Sequence, residues 1–599
     1  MVLNTVDWII IGSFFLFSLM VGLYAARSAG KSAAEFFLSG RNMPWWLLGV
    51  SMVATTFSTD TPNLVTDIVR QDGVAGNWVW WAFLLTGMLT VFVYARLWRR
   101  SGVMTDLAFY ELRYSGRMAS FLRGFRAIYL GAFFNIMVIA MVSLALIKIG
   151  AVMLQWSPAK TLIIASLVTV VYSTLGGLRG ILLTDFFQFI LAMIGSIGAA
   201  IILLRLPEVG GLQNLLQHES VAGHLNLLPD WSNNQELFVL LIMPLAVQWW
   251  SVWYPGAEPG GGGYIAQRML SARSESGAAK ATLFFNVAHY ALRPWPWILV
   301  ALASLVVFPD LASLREAFPH VDPQIIKHDL AYPAMLSKLP NGFLGLVVAS
   351  LLAAFMSTVS TQLNWGSSYL VHDFYQRFIN PKASEKKLVM AGRLSTILLM
   401  ILSCFLALAL ENALDAFKIL LQVGAGTGLI YILRWFWWRI NAFSEVTAMV
   451  VSFGMALYFK FLHPLTTLPE ISDAVKLVVG VLVTTVAWIS VTLLTRPTER
   501  KTLLSFYQKI QPGGPGWKSI RTELGEPDPN GPQPSSLPNG ILCMVLGCVA
   551  VYSALFATGY WLYGRTGLAS LLTLITFVVV WTLSRIWKKT LSVRTKDTS

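Results

Sequence analysis

Four hydroxyls crowd into five positions of one apolar stretch: Ser357, Thr358, Ser360 and Thr361 in AAFMSTVSTQLNWGSS. On a helix each residue advances about 100°, so Ser357, Ser360 and Thr361 share a face and Thr358 flanks it. A single hydroxyl in an apolar helix usually bonds back to its own turn. Four in five exceed that need and point to a polar site. Hydroxyls are hard, neutral oxygen ligands, suited to a small cation that must bind and leave quickly. Sodium fits them better than zinc, which takes cysteine or histidine. Asp185, in YSTLGGLRGILLTDFFQFILAM, is the other expensive residue. A carboxylate in an apolar span is a functional candidate by default; a helix-start residue favoured by the dipole is the alternative.

The elements that must position these groups are membrane spans. The chain has 599 residues, 56% hydrophobic, 13% aromatic and only 12% charged, against about 25% charged in ordinary globular proteins. Mean hydropathy is +0.63, and the apolar residues form long blocks with short polar breaks. This composition implies an all-α polytopic protein of the lipid bilayer. About 20 apolar residues cross the hydrocarbon as a helix. Spans then fall near 5–26, 44–69, 77–98, 122–154, 159–176, 182–205, 236–256, 278–308, 341–374, 388–410, 413–437, 441–463, 474–495, 539–562 and 566–588, about fifteen in all. The first span lacks a basic n-region and a cleavage site, so it is expected to stay attached. Cys404, Cys543 and Cys548 lie in apolar helices and read as small core residues, which excludes a secreted disulfide scaffold.

Lysine and arginine set the orientation. With the N-terminus outside and the C-terminus cytoplasmic, roughly 32 of the 44 basic residues lie inside. They include the cluster from Arg96 to Arg126 and the tail from Arg585 to Lys596. The net charge of +14 is therefore a topology signal of a multi-pass plasma-membrane protein, not a nucleic-acid footprint. The loop 496–538, rich in proline and glycine, reads as a flexible cytosolic linker. Its GPGWKS does not meet the spacing of a phosphate loop, so an ATP-driven engine is not visible and a gradient must drive whatever moves. No nucleophile–base or metal-ligand cluster suggests an enzyme. A transporter-like sensor would carry a fused kinase or receiver domain, and the tail after Trp587 is too short for one.

Two spans carry helix breaks, which a membrane tolerates only where protein encloses a site. The second holds Ser51, Thr55, Thr56, Ser58, Thr59, Asp60, Thr61, Pro62 and Asn63 in its middle. The seventh holds Pro255, Gly256, Pro259 and Gly260 to Gly263, which cannot continue a helix. The breaks lie five spans apart, and an odd offset inverts the second copy, the signature of an inverted-topology repeat. Simple proline kinks are the alternative. The expected organisation is an N-terminal span and loop (1–43), a first repeat (44–205), an extracellular loop (206–235) and a second repeat (236–437). Peripheral helices (438–495), the linker (496–538) and two C-terminal helices with a basic tail (539–599) follow.

The stretches GGLRGILLTDFFQ, AAFMSTVSTQLNWGSSYLVHDFY and QRMLSARSESGAAK, the last expected as a loop after the seventh span, resemble the sodium:solute symporter family over roughly residues 5 to 495. The resemblance implies a LeuT-type core of five plus five helices. It implies a shared sodium site made by the backbone carbonyls of Ala54, Phe57 and Ala354 and the hydroxyls of Ser357 and Thr358. It also implies a second sodium site at Asp185, Ser357, Ser360 and Thr361, with Asp185 facing Ser360 and Thr361. In the sodium–galactose members, pocket positions correspond here to Thr61, Trp80 or Trp81, His289 and Gln422. Only the last keeps the family's residue, so galactose itself is not supported. Asp60, His289 and Arg293 are further substrate candidates, the last two roughly 18–24 Å into their span at 1.5 Å per residue. Arg293 could instead pair structurally with Asp60 or Asp67. The expected activity is sodium-coupled import of a small polar organic solute, a sugar ahead of an amino or carboxylic acid. No cofactor beyond sodium and no obligatory protein partner is implied.

Overall fold

The structure, a computed structural model, describes residues 3–29, 31–251, 259–410, 424, 426–525 and 537–592, and among them it contains helices and no strand. The elements that matter here begin with α1 (Thr5–Ala29), α2 (Trp45–Thr56), α3 (Asp60–Asp72), α4 (Val74–Ser101) and α5 (Gly116–Leu154). There follow α6 (Pro158–Thr174), α7 (Gly176–Leu204), α8 (Asn234–Ala246), α9 (Gly263–Ser271), α10 (Glu275–Val307) and α11 (Phe343–Ile379). The last are α12 (Glu385–Ala407), α13 (Ala442–Leu465), α14 (Asp473–Leu494), α15 (Leu537–Leu562) and α16 (Thr566–Ser592). Among the described residues, 11 helices are long and apolar enough to cross a membrane. Three more of the expected spans are shorter apolar helices, α2, α6 and α8, and residues 413–423 and 425 of the span expected at 413–437 lie outside the described residues.

The span expected at 44–69 is two helices. α2 stops at Phe57 (φ −95°, ψ 83°), whose N–H donates to the carbonyls of Val53 (2.9 Å) and Ala54 (3.1 Å). α3 then opens with Asp60 in its first turn, where the dipole favours a carboxylate. Pro62 falls in that same turn, where its missing N–H costs nothing. The chain therefore breaks just ahead of the proline rather than at it. In the seventh span, residues 252–258 lie outside the described residues. Gly260 and Gly261 hold φ +83° and +90°, a left-handed backbone that glycine adopts readily, and α9 begins directly after. α6 and α7 run into one another except at Gly177 (φ 53°, ψ −163°), the kink inside GGLRG.

α11 is buried along nearly its whole length and packs against α1, α5 and α7. Its start is capped from another helix: buried Asp7 of α1 accepts the N–H groups of Gly342 and Gly345, each at 2.7 Å. α7 shows what faces lipid. Phe187, Ile190, Ile194, Ile197 and Ile201 are exposed at spacings of three and four, while Asp185, Gln188 and Ala192 on the opposite side are buried. At the far edge, Tyr552 of α15 donates to the carbonyl of Trp81 in α4 (2.8 Å), and Trp295 of α10 donates to that of Leu555 in α15 (2.9 Å).

Two expected loops are folded. In QRMLSARSESGAAK, Gln267 and Arg268 belong to buried α9, Glu275 onward begins α10, and only residues 272–274 connect them. In the 496–538 segment, helices Arg500–Ile510 and Lys518–Leu524 pack against the body. Leu503, Phe506, Tyr507 and Ile510 recur at helical spacing and are buried, a pattern that the surrounding prolines and glycines hide. Trp517 is fully buried, stacks on Phe506 with ring centroids 5.5 Å apart, and donates to the carbonyl of Trp435 at 2.8 Å.

Candidate functional site

Helices α2, α7, α9 and α11 converge on one carboxylate. Asp185 of α7 accepts hydrogen bonds from Ser357 of α11 at 2.6 Å and from Ser51 of α2. Arg268 of α9 approaches from a further side, its Nη2 4.0 Å from Asp185 Oδ2. The guanidinium also donates to Ser51 (3.2 Å), Thr361 (2.7 Å) and the side-chain oxygen of Gln267 (2.9 Å). Asp185 and Arg268 are both 0% exposed. Burying either charge costs several kcal/mol unless it is paired and hydrogen-bonded, and here hydroxyls complete both shells. Among the described contacts neither Ser360 nor Thr361 bonds Asp185: Ser360 bonds back to the carbonyl of Ser357 (3.1 Å), and Thr361 turns to Arg268 and to Thr55 (3.1 Å). The reason is the unforeseen cation, which draws Thr361 as a donor-accepting hydroxyl.

One turn away, Thr358 Oγ1 donates to the carbonyl of Thr55 at 2.7 Å. That contact sets the hydroxyl run of α11 on the last turn of α2, beside Ala54 and Phe57. Ala354 lies four residues before Thr358, on the same face of α11, and Ala54, Phe57 and Ala354 are all buried. The carbonyl of Ala54 already accepts the N–H of Phe57 and keeps a second lone pair. Thr358 thereby joins the hydroxyl run of α11 to the turn that ends α2.

Directly beyond the break is a cavity of about 70 Å³, lined among others by Thr56, Asp60, Thr61, Trp80, His289 and Arg293. Thr56 Oγ1 lies 3.1 Å from His289 Nδ1, and His289 in turn contacts the guanidinium of Arg293. Arg293 Nη1 donates to the carbonyl of Val53 (3.3 Å), and the guanidinium lies over the ring of Trp297 at 5.3 Å, a cation–π contact. Thr61 Oγ1 returns to the carbonyl of Thr56 at 3.3 Å. Trp80 meets His289 edge-on (5.6 Å, 89°) and stacks on Tyr290 (5.9 Å, 23°). Trp81 is not in the cavity wall; it packs on Trp78 and Phe556. Asp60 Oδ1 and Arg293 Nε have no hydrogen-bond partner among the described residues. Gln422 lies outside the described residues.

Backbone chemistry explains why His289 and Tyr290 reach inward. Pro294 cannot donate to the carbonyl four residues earlier and its ring crowds it. α10 widens into a π turn over Ala288–Leu292 just before that proline, a distortion frequent at functional sites. Sequence reasoning overlooked Arg268, Tyr264 and Tyr290, the last two of which line the cavity. The signal for Arg268 was its proximity to the glycine run, which starts a helix inside the protein rather than ending a span.

The sequence model of the sodium:solute symporter family matches residues 36–452. Over 478 residues the chain is 27% identical to the sodium/glucose cotransporter of Vibrio parahaemolyticus, covering 77% of this chain and 86% of that protein. It is 23% identical to the sodium/mannose cotransporter of Bos taurus, covering 77% and 80% respectively. Among solved structures, a Na+-coupled sialic acid symporter in a substrate-bound outward-open state superposes with a TM-score of 0.65. That match has 20% identity and covers 83% of this chain and 99% of the symporter, which speaks to the fold.

Proposed function

The chain belongs to the sodium:solute symporter family, and from that premise we propose how its residues couple sodium to a solute. It is a sodium-coupled symporter of a small molecule, not an enzyme, and sodium is its coupling ion. The shared sodium ion is held by the carbonyls of Ala54, Phe57 and Ala354 and the hydroxyls of Ser357 and Thr358. The contact of Thr358 with the Thr55 carbonyl carries this reading, because it joins α11 to the turn that ends α2. The residues immediately after that turn, Asp60 and Thr61, belong to the solute cavity. A cation that stiffens the end of α2 thereby orders one wall of the cavity, and differential binding to the ordered state favours solute uptake.

A second sodium ion uses Asp185 with Ser357, Ser360 and Thr361, sharing the carboxylate with Arg268. Residues 44–205 and 236–437 form the two inverted repeats, and rocking of the bundle alternates access to the cavity. The N-terminus lies outside and the C-terminus in the cytoplasm of the plasma membrane, so the direction is import. The solute is a sugar or related compound, recognised by Thr56, Asp60, Thr61, Trp80, His289, Arg293 and Gln422. An amino acid or organic acid is the second reading, favoured by Asp60 and Arg293 in the same wall.

The test is uptake by the purified protein in proteoliposomes against a panel of sugars, amino acids and organic acids. Sodium-dependent accumulation of one panel class identifies the solute. Accumulation that ignores the sodium gradient refutes the coupling.

A further inference from the structure

Next to the solute cavity is a smaller one, of about 40 Å³, between α4, α10 and the start of α9. Phe83 and Tyr290 line both cavities. Beyond them the small cavity is lined by Thr86 and Thr90 of α4 and Thr282 and Asn286 of α10. Asn286 lies seven residues before Arg293, and Thr86 six residues after Trp80, roughly 10 Å along each helix. Both offsets lead the same way, toward the end of the bundle that carries Arg96, Arg99 and Arg100.

Two buried polar atoms there have no hydrogen-bond partner among the described residues: Thr86 Oγ1 and Asn286 Oδ1. Neither is accounted for by folding. A threonine in a helix can return its hydroxyl to its own turn, as Thr90 and Thr282 do at 2.8 and 2.9 Å, but Thr86 does not. Asn286 uses only its amide nitrogen, toward the carbonyl of Thr282 at 2.8 Å. Gly87 admits the Asn286 side chain to this wall, since a Cβ there would lie 1.9 Å from Asn286 Oδ1. No Asp, Glu, Lys, Arg or His is among the described residues lining this cavity.

We propose that this cavity is a second solute subsite, occupied as the solute leaves the central cavity toward the basic end, and that it receives the hydroxyl groups of a neutral polyol. The chemistry follows from the lining. Hydroxyl and amide groups exchange hydrogen bonds with hydroxyls, and the rings of Phe83 and Tyr290 offer apolar faces to a sugar's C–H groups. An ionised solute would meet the charges of Asp60 and Arg293 in the first cavity and no counter-charge in the second. This inference rests on the symport reading and narrows it from small polar solutes to neutral, hydroxyl-rich ones.

The probes are labelled D-glucose, D-mannose and myo-inositol, with L-proline and lactate as ionised counterparts, in proteoliposomes holding the full chain. Sodium-driven uptake of at least one neutral probe is expected. Thr86→Val and Asn286→Leu should each lower its maximal rate about tenfold while the half-saturating outside concentration stays within about twofold. Thr86→Val removes a hydroxyl that holds nothing in the fold, so its melting temperature should not fall, which separates passage from stability. Maximal rates of both variants within about twofold of the parent chain would overturn the proposal, leaving a cavity that holds only water. Sodium-driven uptake of the ionised probes alone would overturn it too, with the symport reading intact. Uptake of every probe without sodium dependence would instead sink the symport reading, and this inference with it.

Discussion

Thr358 contributes a single hydroxyl to the structure, and its one described bond is to the carbonyl of Thr55. Replacing it by alanine removes one oxygen ligand and leaves the helix intact. Thr358→Ala should raise the sodium concentration for half-maximal uptake about tenfold, the worth of roughly 1.4 kcal/mol. Unchanged sodium activation would remove Thr358 from the ion site. Arg293 contributes charge-assisted donors to the solute cavity, each worth about 1.5–3 kcal/mol. Arg293→Gln should raise the half-saturating solute concentration at least about tenfold, with the sodium requirement held within about threefold; a solute affinity equal to the parent's contradicts a contact role. Asp185 and Arg268 form a pair whose halves cannot be deleted separately without loss. Asp185→Asn and Arg268→Gln should each destabilise the protein by about 3–5 kcal/mol. The double variant should lose less than the sum, read from melting curves in detergent. Additive losses would show that the two side chains do not sense each other. At this scale the sequence was informative wherever a residue violated its surroundings. Ser357, Thr358 and Asp185 are polar in apolar stretches, and the structure gathers them where α2, α7 and α11 meet. Arg268 was not, because it follows a glycine run that resembles a loop, and an arginine in a loop violates nothing.

Helices were legible for the same reason in reverse: long apolar blocks leave few alternatives in a membrane. In the second span the break falls inside the polar run that the sequence marks, and in the seventh, residues 252–258 lie outside the described residues. Proline draws attention to residue 62, yet the backbone turns at Phe57–Thr59, because proline in a first turn is compatible with a helix. The helices of the 496–538 segment escaped notice because Pro and Gly outweighed a four-residue apolar stripe. Beside that segment, the short helix Phe109–Arg113 carries Glu111, which accepts from Arg123 (2.6 Å), Ser120 (2.6 Å) and Arg377 (3.1 Å). Burial alone would raise its pKa, but the hydrogen bonds from Arg377, Ser120 and Arg123 prevail and lower it from 4.5 to about 2. A carboxylate with a depressed folded pKa stabilises fully above its unfolded pKa and loses that contribution as pH falls through the folded one. The advantage of the parent chain over Glu111→Gln should therefore be on the order of 1 kcal/mol at pH 7, after solvent screening. It should shrink between pH 4.5 and about 2. Melting curves that differ by the same amount at pH 7 and at the bottom of that window would contradict this account.

For the molecule as a whole, coupling is a matter of charge moved. One elementary charge crossing 100 mV carries about 2.3 kcal/mol, roughly a 50-fold concentration ratio. If Asp185 helps bind a second sodium ion, sodium activation is sigmoidal and two charges accompany each neutral solute. The reversal potential of solute-evoked current in proteoliposomes should then shift by the amount set by two charges. A one-to-one ratio in the parent chain would leave Arg268 as the only cation at Asp185. The substrate itself was the least legible property at this scale. It depends on side chains from α3, α4 and α10 converging across long sequence separations, and single-sequence spacing does not encode that convergence.

The bonds of α15 carry a mechanical implication. Tyr552 grips the backbone of α4 at Trp81, and Leu555 is gripped by Trp295 of α10, so a helix beyond the family-matched region staples together two walls of the solute cavity. Two beams fastened by a common strut shift as a single body. A seam that opens to admit or discharge the solute then runs between this fastened pair and the side made by α2, α9 and α11. A label on α15 would ride with α4 and α10, making this outer helix a convenient place from which to watch the cavity open without touching it.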